Sequence, residues 1–263
     1  SSNPPNITQA SPPLDHMLGT AGASMPTTFG PISISAIMGK TLEDIGYHHP
    51  TPIQEAVIPA ISSGKDVVGQ AQTGTGKTAA FAIPLIDSFD IRGHSTQALV
   101  MVPTRELAIQ VTAEFKRLSK NQPVKTIAVY GGQSIERQLA GLRQNPHCVV
   151  ATPGRLLDHL LRKTINLRQI RTVVLDEADQ MLDIGFAYDI RRILHQTPRS
   201  RQTLLFSATI PGSIKSLAHQ YMNDPQWIMV GGDSEPVDEV SQIYYEIPQN
   251  ERYSAIDRLL QEP

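Results

Sequence analysis

The chain has 263 residues, with 23 Lys and Arg against 25 Asp and Glu, and its formal net charge is −2. This balance excludes a uniformly basic surface for phosphate backbones, so any nucleic-acid site on this chain has to be local. The single cysteine, Cys148, excludes an intramolecular disulfide framework and a cysteine-rich zinc site.

Hydropathy and the charges near the start of the chain predict a cytoplasmic protein. There is no run of about 18 apolar residues, so we expect no membrane span. The first basic residue is Lys40 and the first arginine is Arg92. That order lacks the charged start of a secretory signal and the arginine-rich face of an organelle transit peptide.

The first elements are a predicted tail and two predicted helices. Residues 1–28 are rich in Pro, Ser, Thr and Gly and lack apolar periodicity, which predicts a flexible tail. From Phe29 to Gly46, apolar residues recur at helical spacing and predict one amphipathic helix. Its apolar positions are Ile32, Ile34, Ile37, Met38, Leu42 and Ile45. A second helix is predicted to begin at Pro52, with Thr51 as its N-cap.

Short β-branched runs then alternate with helical patterns. Strands are predicted near residues 66–70, 98–102, 125–130, 148–151, 172–175, 203–206 and 227–230. Continuous apolar runs such as 99–102 are typical of strands covered on both faces. The sequence therefore predicts an α/β fold, doubly wound, with a mostly parallel sheet and helices on both faces. Pro84 lies inside the helix predicted after Lys77 and should kink it or leave the Ala80 carbonyl unpaired.

The end of the chain predicts a second domain. The stretch 231–236 resembles a linker, and one alternating strand over 242–247 and one short helix follow it. A lone strand and helix cannot bury their apolar faces. We therefore expect one domain over 29–232, a linker over 233–240 and the opening of a truncated second domain over 241–263.

Residues 71–78, Ala-Gln-Thr-Gly-Thr-Gly-Lys-Thr, lie between a predicted strand and a predicted helix. Glycines let several backbone N–H groups turn toward one phosphate, and the helix start adds a positive dipole end. Lys77 can then reach the β- and γ-phosphates, and the Thr78 hydroxyl can bind Mg²⁺. The other residues assigned to the nucleotide here are Thr73, Gly74, Thr75 and Gly76. Ala71 departs from the usual glycine, and the alternative is a glycine-rich solvent turn.

An acidic pair, Asp176 and Glu177, follows the buried run 173–175. Such pairs usually lie on solvated helix faces, but the carboxyl end of a central strand faces the ligand crevice of open α/β sheets. We therefore assign Asp176 to Mg²⁺ and Glu177 to orienting and deprotonating the water that attacks the γ-phosphate.

Residues 176–179 spell Asp-Glu-Ala-Asp, and the chain resembles the DEAD-box RNA helicases from Phe29 to about residue 230. Motifs in the family's order and spacing support the resemblance at residues 46–54, 103–108, 131–132, 152–155 and 207–209. The resemblance implies a RecA-like P-loop domain, ATP and Mg²⁺ as cofactors, RNA as partner, and a second RecA-like domain in the full-length chain.

The resemblance implies that the segment around residue 50 binds the base of ATP. Gln54 would recognise the adenine edge, Phe29 would stack on its face, and Tyr47 belongs to the same motif. Thr51 and Gln54 also form a capping-box pattern, so Gln54 can instead close a helix start. Phe29 can equally be a packing residue.

Three predicted strand-to-helix turns are assigned to the RNA backbone. Each offers free N–H groups to a phosphate, and together they can follow a strand without recognising its bases. The residues are Pro103, Thr104, Arg105, Gly132, Thr152, Gly154 and Arg155. The alternative is ordinary loop chemistry, with each arginine in a surface ion pair.

The resemblance also implies that Ser207 and Thr209 hydrogen-bond Asp179 and couple the nucleotide site to movement of the next domain. They can equally be a helix N-cap pair.

The sequence thus predicts an ATP-dependent RNA helicase that couples ATP hydrolysis to local duplex unwinding or RNP remodelling. The alternatives are an ATP-dependent RNA clamp or scaffold, and a different P-loop enzyme such as a GTPase or DNA translocase. No Asn-Lys-x-Asp guanine motif occurs in the chain. The family's arginine fingers lie in the second domain, so we expect these 263 residues to bind adenine nucleotide, bind RNA weakly and hydrolyse ATP slowly.

Overall fold

A computed structural model of the protein describes residues 27–230. The strands are β1 (Thr27–Phe29), β2 (Ile32–Ile34), β3 (Val67–Gln70), β4 (Ala98–Met101), β5 (Thr126–Val129), β6 (Cys148–Ala151), β7 (Thr172–Leu175), β8 (Gln202–Ser207) and β9 (Gln226–Met229). The helices are α1 (Ala36–Asp44), α2 (Pro52–Ser62), α3 (Lys77–Ser88), α4 (Arg105–Leu118), α5 (Ile135–Leu142), α6 (Pro153–Leu161), α7 (Ala178–Asp183), α8 (Ala187–Leu194) and α9 (Gly212–Tyr221).

Seven strands form one sheet in the order β5-β6-β4-β7-β8-β3-β9, and every pairing in it is parallel. Each of the seven strands predicted between residues 66 and 230 is present, with bounds within one residue of those predicted. Because β4, β6 and β7 are buried on both faces, their sequences are continuous apolar runs. The predicted doubly wound α/β fold is confirmed.

Successive strand residues face two different hydrophobic cores. Val100 belongs to the core that also contains residues of helices α1 to α4, whereas its neighbour Leu99 belongs to the core that contains residues of α6 to α9. On the first face the Phe81 ring lies 5.4 Å from the Phe206 ring and 6.1 Å from the Phe115 ring, centroid to centroid. The helices thus sandwich the sheet, and its two ends are left for loops.

The predicted helix over 29–46 is partly wrong, because its first part is a β-hairpin. Strands β1 and β2 pair antiparallel around Gly30, which has φ +56°. Ile32 and Ile34 are buried and Ser33 between them is exposed, which is the alternation of a strand. Ser35 then caps α1 by accepting a hydrogen bond from the Met38 N–H at 3.0 Å.

Thr27 and Thr28 belong to β1, so the predicted tail ends earlier than residue 28. The rest of that tail lies outside the described residues, as do the predicted linker and the strand and helix predicted beyond it. Helix α3 runs through Pro84 and on to Ser88. Across residues 27–230, none of the helices has both the length and the apolar character needed to span a membrane.

Candidate nucleotide and RNA site

The loop between β3 and α3 has the backbone shape that a phosphate site needs. Gly74 and Gly76 have φ +85° and +89°, values that side chains rarely allow. A Cβ on Gly76 would lie 2.6 Å from the Gln54 side-chain nitrogen. Ala71 is buried and its N–H donates to the Ser207 carbonyl at 3.2 Å, so it extends the pairing of β3 with β8. This explains how the loop accommodates alanine in place of the usual glycine.

The Lys77 ammonium lies 4.0 Å from Asp176 Oδ1, and both side chains are less than a tenth exposed. Within the described part of the chain, Lys77 Nζ has no hydrogen-bond partner. Burial raises the pKa of Asp176 to about 6, although the Lys77 charge opposes that shift. The two sequence-predicted charges therefore face one another across one buried site, and the ammonium lacks the acceptors it requires.

Glu177 adopts a backbone conformation that is strained for a residue with a side chain. Its φ and ψ are +52° and +51°, and its N–H donates to Asp176 Oδ1 at 3.0 Å. Non-glycine residues in this region cost roughly 1–3 kcal/mol and cluster at functional sites. The turn ends β7 abruptly and places Glu177 on the wall of the same cavity as Asp176.

That cavity has a volume of about 410 Å³. It is lined by Tyr47, Thr73, Gly74, Gly76, Lys77, Thr78, Ala79, Leu107, Gln110, Glu114, Asp176 and Glu177. The sequence motifs did not predict that Leu107, Gln110 and Glu114 of α4 line this cavity. Their spacing could have indicated this wall, because positions i, i+3 and i+7 lie on one face of a helix and this helix begins within the motif at residues 103–108.

Glu114 also orients Tyr47, which lines the same cavity. The Tyr47 hydroxyl donates to Glu114 Oε1 at 2.8 Å, and the Arg117 guanidinium lies 4.7 Å from the Tyr47 ring centroid. Burial raises the pKa of Tyr47, and the Glu114 carboxylate raises it further. The ring is therefore a neutral, oriented surface beside the phosphate loop.

Gln54 closes a helix and also contacts the phosphate loop. Its Oε1 accepts from the Thr51 N–H at 2.9 Å, and its Nε2 donates to the Gly76 carbonyl at 3.2 Å. Phe29 is 4% exposed and packs in the core. It lines a second cavity of about 510 Å³, which shares Tyr47 with the first.

The described residues contain no group of three or more His, Cys, Asp or Glu that could hold a metal ion. Mg²⁺ does not need such a cage, because it keeps several waters and binds one or two protein oxygens together with phosphates. The Thr78 hydroxyl and the Asp176 carboxylate line one cavity and match that donor set.

The turns predicted for RNA lie at the other half of the same sheet edge. They follow β4, β6 and β5, which are three adjacent strands. The phosphate loop, the acidic pair and the coupling residues follow β3, β7 and β8, which are the next three strands in the sheet. Parallel strands end at one edge, so the topology gathers both sets there. The sheet order separates them into two neighbouring halves.

Side chains join the RNA-facing turns to one another. The Thr104 hydroxyl caps α4 by accepting from the Leu107 N–H at 3.2 Å, and the Arg105 guanidinium lies 5.3 Å from the Tyr130 ring centroid. Gly132 has φ +81°, and its nearest contact for a Cβ is the Arg105 side chain. The alternative, a surface ion pair of Arg105 or Arg155, is absent among the described residues, and the Arg105 guanidinium lies over an aromatic ring instead.

The third turn is built on β6 and α6. Thr152 is buried, Gly154 is exposed with open space where a Cβ would lie, and Arg155 is half-buried. Pro103, which belongs to the turn after β4, is also buried. Arg155 Nη1 donates to the Gln133 carbonyl at 2.9 Å, which ties this turn to the one after β5. The structure thus brings the predicted RNA residues together.

Asp179, Ser207 and Thr209 form a hydrogen-bonded cluster. The Thr209 hydroxyl and N–H donate to Asp179 Oδ2 at 2.8 Å and 3.0 Å. Ser207 Oγ accepts from the Asp179 N–H at 3.2 Å. Burial raises the pKa of Asp179, but the bonds from Thr209 and Ser207 outweigh it and lower the pKa. Pro211 occupies the N-cap position of helix α9, so Ser207 and Thr209 do not cap that helix.

A larger cavity, of about 950 Å³, lies at the opposite edge of the sheet. Its charged lining includes Lys65, Arg171, Arg199 and Arg201. It lies at the amino ends of the strands and shares no residue with the cavity of Lys77 and Asp176. Size alone therefore does not identify the candidate site.

Comparison with known proteins agrees with this geometry. A family model described as DEAD/DEAH box helicase matches residues 51–217. The chain is 46% identical over 234 residues to the DEAD-box ATP-dependent RNA helicase CshA of Bacillus cereus, covering 89% of this chain and 45% of that protein. The CshA of Geobacillus kaustophilus is also 46% identical, with 89% and 50% covered. The chain therefore spans about half the length of the curated relatives it matches.

Solved structures show the same fold. The crystal structure of a DEAD box protein from the hyperthermophile Methanococcus jannaschii aligns with a TM-score of 0.74 and 40% identity, over 89% of this chain and 63% of that one. A hypothetical ATP-dependent RNA helicase from Sulfolobus tokodaii aligns with a TM-score of 0.68 and 37% identity, over 74% and 56% of the two chains.

Proposed function

Because this chain belongs to the DEAD/DEAH box helicase family, we propose that it is the ATP-binding and RNA-binding domain of an ATP-dependent RNA helicase. The buried Lys77 ammonium, 4.0 Å from Asp176 and without a hydrogen-bond partner among residues 27–230, is the observation that supports this most directly. A buried charge without acceptors is costly. The β- and γ-phosphate oxygens of a nucleotide supply the missing acceptors.

Each wall of the phosphate cavity has its own role in ATP hydrolysis. The N–H groups of the 73–78 loop bind the phosphates, and Lys77 neutralises the transferred group. Thr78 and Asp176 would hold Mg²⁺, which would offset the negative charge that develops on the phosphates. Glu177 orients the attacking water and accepts its proton. The strained turn at Glu177 supports that role, because it fixes the carboxylate beside Asp176 without a flexible loop.

The adenine base is recognised by Gln54, Tyr47 and Phe29. The Gln54 side chain accepts from Thr51 through Oε1 and donates to Gly76 through Nε2. Oε1 can accept a second hydrogen bond and Nε2 can donate a second one, and both would be available to the adenine edge. Tyr47 lines the cavities on both sides and provides an oriented ring. Phe29 is assigned to the base from the second cavity. This arrangement gives ATP over GTP.

RNA lies along the three turns after β4, β6 and β5. Backbone N–H groups and two arginines contact phosphates, so binding is independent of base sequence. The side-chain links among Arg105, Tyr130, Gln133 and Arg155 support a continuous surface for one strand. A nearly neutral chain can bind RNA in this way because the contacts are local.

Coupling to the rest of the enzyme passes through Asp179, Ser207 and Thr209, which lie beside the catalytic carboxylates. In the full-length enzyme this domain would be joined to a second RecA-like domain. ATP and RNA would close the two domains around a crevice, and hydrolysis would reset them while a short duplex is strained apart. The arginine fingers of the second domain would complete the site, and the protein would work in the cytoplasm.

RNA-stimulated ATP hydrolysis by the two-domain protein tests the proposal. We expect single-stranded RNA to stimulate turnover of ATP, DNA and GTP to be poor substitutes, and Lys77→Ala to abolish the activity. Lys65→Ala is the matched control, because Lys65 is an exposed lysine at the other end of β3. Stimulation by DNA equal to that by RNA, or full activity in Lys77→Ala, would refute the proposal.

A further inference from the structure

A buried polar cluster lies beneath two of the RNA-facing turns, and the sequence motifs did not include it. It consists of Gln138 on α5, His159 on α6 and Thr164 after α6, and we call it the bridging cluster. Gln138 is 3% exposed and His159 is 0% exposed. Polar side chains buried this deeply are retained only where their hydrogen bonds are made.

Gln138 hydrogen-bonds both turns at once. Its Nε2 donates to the Tyr130 carbonyl at 2.8 Å and to Gln133 Oε1 at 3.1 Å. Its Oε1 accepts from His159 Nε2 at 2.8 Å and from Arg155 Nη1 at 3.3 Å. A carbonyl accepts and a guanidinium donates, so only this orientation of the amide satisfies every contact.

The histidine has one tautomer in this arrangement. Because Gln138 Oε1 is an acceptor, His159 Nε2 carries the proton. Nδ1 lies 2.8 Å from the Thr164 hydroxyl, whose single proton is shared between Nδ1 and the His159 carbonyl at 3.0 Å. Burial lowers the pKa of His159, and the positive charge of Arg155 lowers it further. His159 is therefore a neutral, oriented donor at neutral pH.

We propose that Gln138 and His159 are positioning residues that hold the turn at residues 130–133 and the Arg155 guanidinium in one fixed relation. The inference rests on the proposed function and adds the internal support of its RNA surface. Arg155 donates to Gln133 and Gln138 through Nη1 alone, and its Nη2 and Nε make no hydrogen bond within the described residues. Those donors stay free for a phosphate, and the Gly132 backbone beside them provides the next contact.

The geometry requires the two contacts to act as a unit. Without the Gln138 amide, Arg155 loses one of its two internal acceptors and the Tyr130 carbonyl loses a donor. Arg155 would then sample several rotamers, and binding RNA would have to order it again. The cluster therefore increases RNA affinity without touching RNA.

The chain offers a matched pair of substitutions, Gln138→Leu and Gln97→Leu. Gln97 is also buried, at 2% exposure, and its amide bonds only the backbone of Asp90, at 2.8 Å and 2.9 Å. It lies just before β4, at the sheet edge opposite the RNA turns. Both variants remove a buried amide, but only one touches the bridging cluster. Thr164→Val is a milder second variant, since it removes only the hydroxyl that orients His159.

The experiment measures the affinity of each variant for a short fluorescent oligouridylate at low salt, and for Mg²⁺ with ADP. We expect Arg155→Ala to weaken RNA binding about tenfold, as loss of a charge-assisted contact should. Gln138→Leu should weaken it about fivefold and Thr164→Val less, through the ordering cost alone. Nucleotide affinity should be unchanged, and Gln97→Leu should bind RNA like the natural chain.

A double variant and an NMR signal separate positioning from general destabilisation. In the Arg155→Ala background, Gln138→Leu should add less than it does alone, because part of its effect passes through the arginine. The Gly132 amide resonance should shift in Gln138→Leu and Thr164→Val and stay in place in Gln97→Leu. Fully additive effects, or RNA affinity in Gln138→Leu no lower than in Gln97→Leu, would overturn the inference. If Arg155→Ala itself leaves RNA binding unchanged, the proposed RNA surface fails instead.

Discussion

Replacing Asp176 by asparagine is expected to stabilise the folded chain at neutral pH while it removes a proposed ligand of Mg²⁺. Asp176 is 2% exposed, and burial raises its pKa from 3.8 to about 6. The folded chain therefore binds this proton more tightly than the unfolded chain does. The stabilising contribution is fully present below the unfolded pKa and is lost as the pH rises through about 6.

The size of the effect follows from the two pKa values. Each pKa unit corresponds to about 1.4 kcal/mol, so ionisation of Asp176 costs the folded state about 3 kcal/mol above pH 6. Asparagine has nearly the same shape and does not ionise. At about pH 4, Lys77 faces a neutral group in both folded proteins, so the difference measured there contains little of the cost of ionising Asp176 in the folded chain.

Urea unfolding of the natural chain and of Asp176→Asn between about pH 4 and 8 measures this directly. The advantage of the variant in free energy of unfolding should grow by about 2–3 kcal/mol over that range, because the unfolded Asp176 is already partly ionised at pH 4. Asp179→Asn is the control of opposite sign, because hydrogen bonds lower the pKa of Asp179 in the folded chain despite its burial. A difference that is independent of pH, or an Asp176→Asn variant that loses stability as the pH rises, would refute the reasoning.

Gly76→Ala should lower the free energy of unfolding by about 1–3 kcal/mol more than Gly74→Ala, as measured by urea unfolding. Both glycines have positive φ, but only at Gly76 would a Cβ meet atoms within 4 Å. Equal losses would contradict this. The 2.8 Å hydrogen bond from Thr209 lowers the pKa of the Asp179 carboxyl, whereas burial raises it. Thr209→Val removes this bond, so the pKa of Asp179 should rise in an NMR titration. An unchanged titration would count against this explanation. Burial raises the pKa of the Cys148 thiol, so a thiol reagent should label it only after unfolding; labelling of the folded chain would contradict this.

The sheet was predictable because its signal is local and repeated. Buried parallel strands require continuous apolar runs, and the runs at 98–101, 148–151 and 172–175 have no competing pattern. The hairpin at 27–34 was not predictable from spacing, because its strands have three residues each. Ile32 and Ile34 fit a helical face as well as a strand when the next apolar residues are helical.

The motif residues of the site were predictable because phosphate chemistry restricts their type and spacing. Their partners were not, because one glutamine or histidine on an amphipathic helix resembles any other. Gln138 and His159 lie 21 positions apart in sequence, and only the parallel order of β5 and β6 brings them together. The role of Gln54 was also not predictable. Its sequence pattern presents helix capping and a nucleotide-site contact as alternatives, whereas in the structure it caps α2 and contacts the phosphate loop at the same time.

Titration calorimetry of the 263-residue chain with ADP and Mg²⁺ tests most directly whether Lys77 and Asp176 enclose a nucleotide-phosphate site. We expect saturable heat with ADP, weaker binding of GDP, loss of binding in Lys77→Ala and full binding in the matched control Lys65→Ala. A folded chain that gives no saturable heat with ADP, or Lys77→Ala binding as tightly as the natural chain, would contradict the assignment of this site.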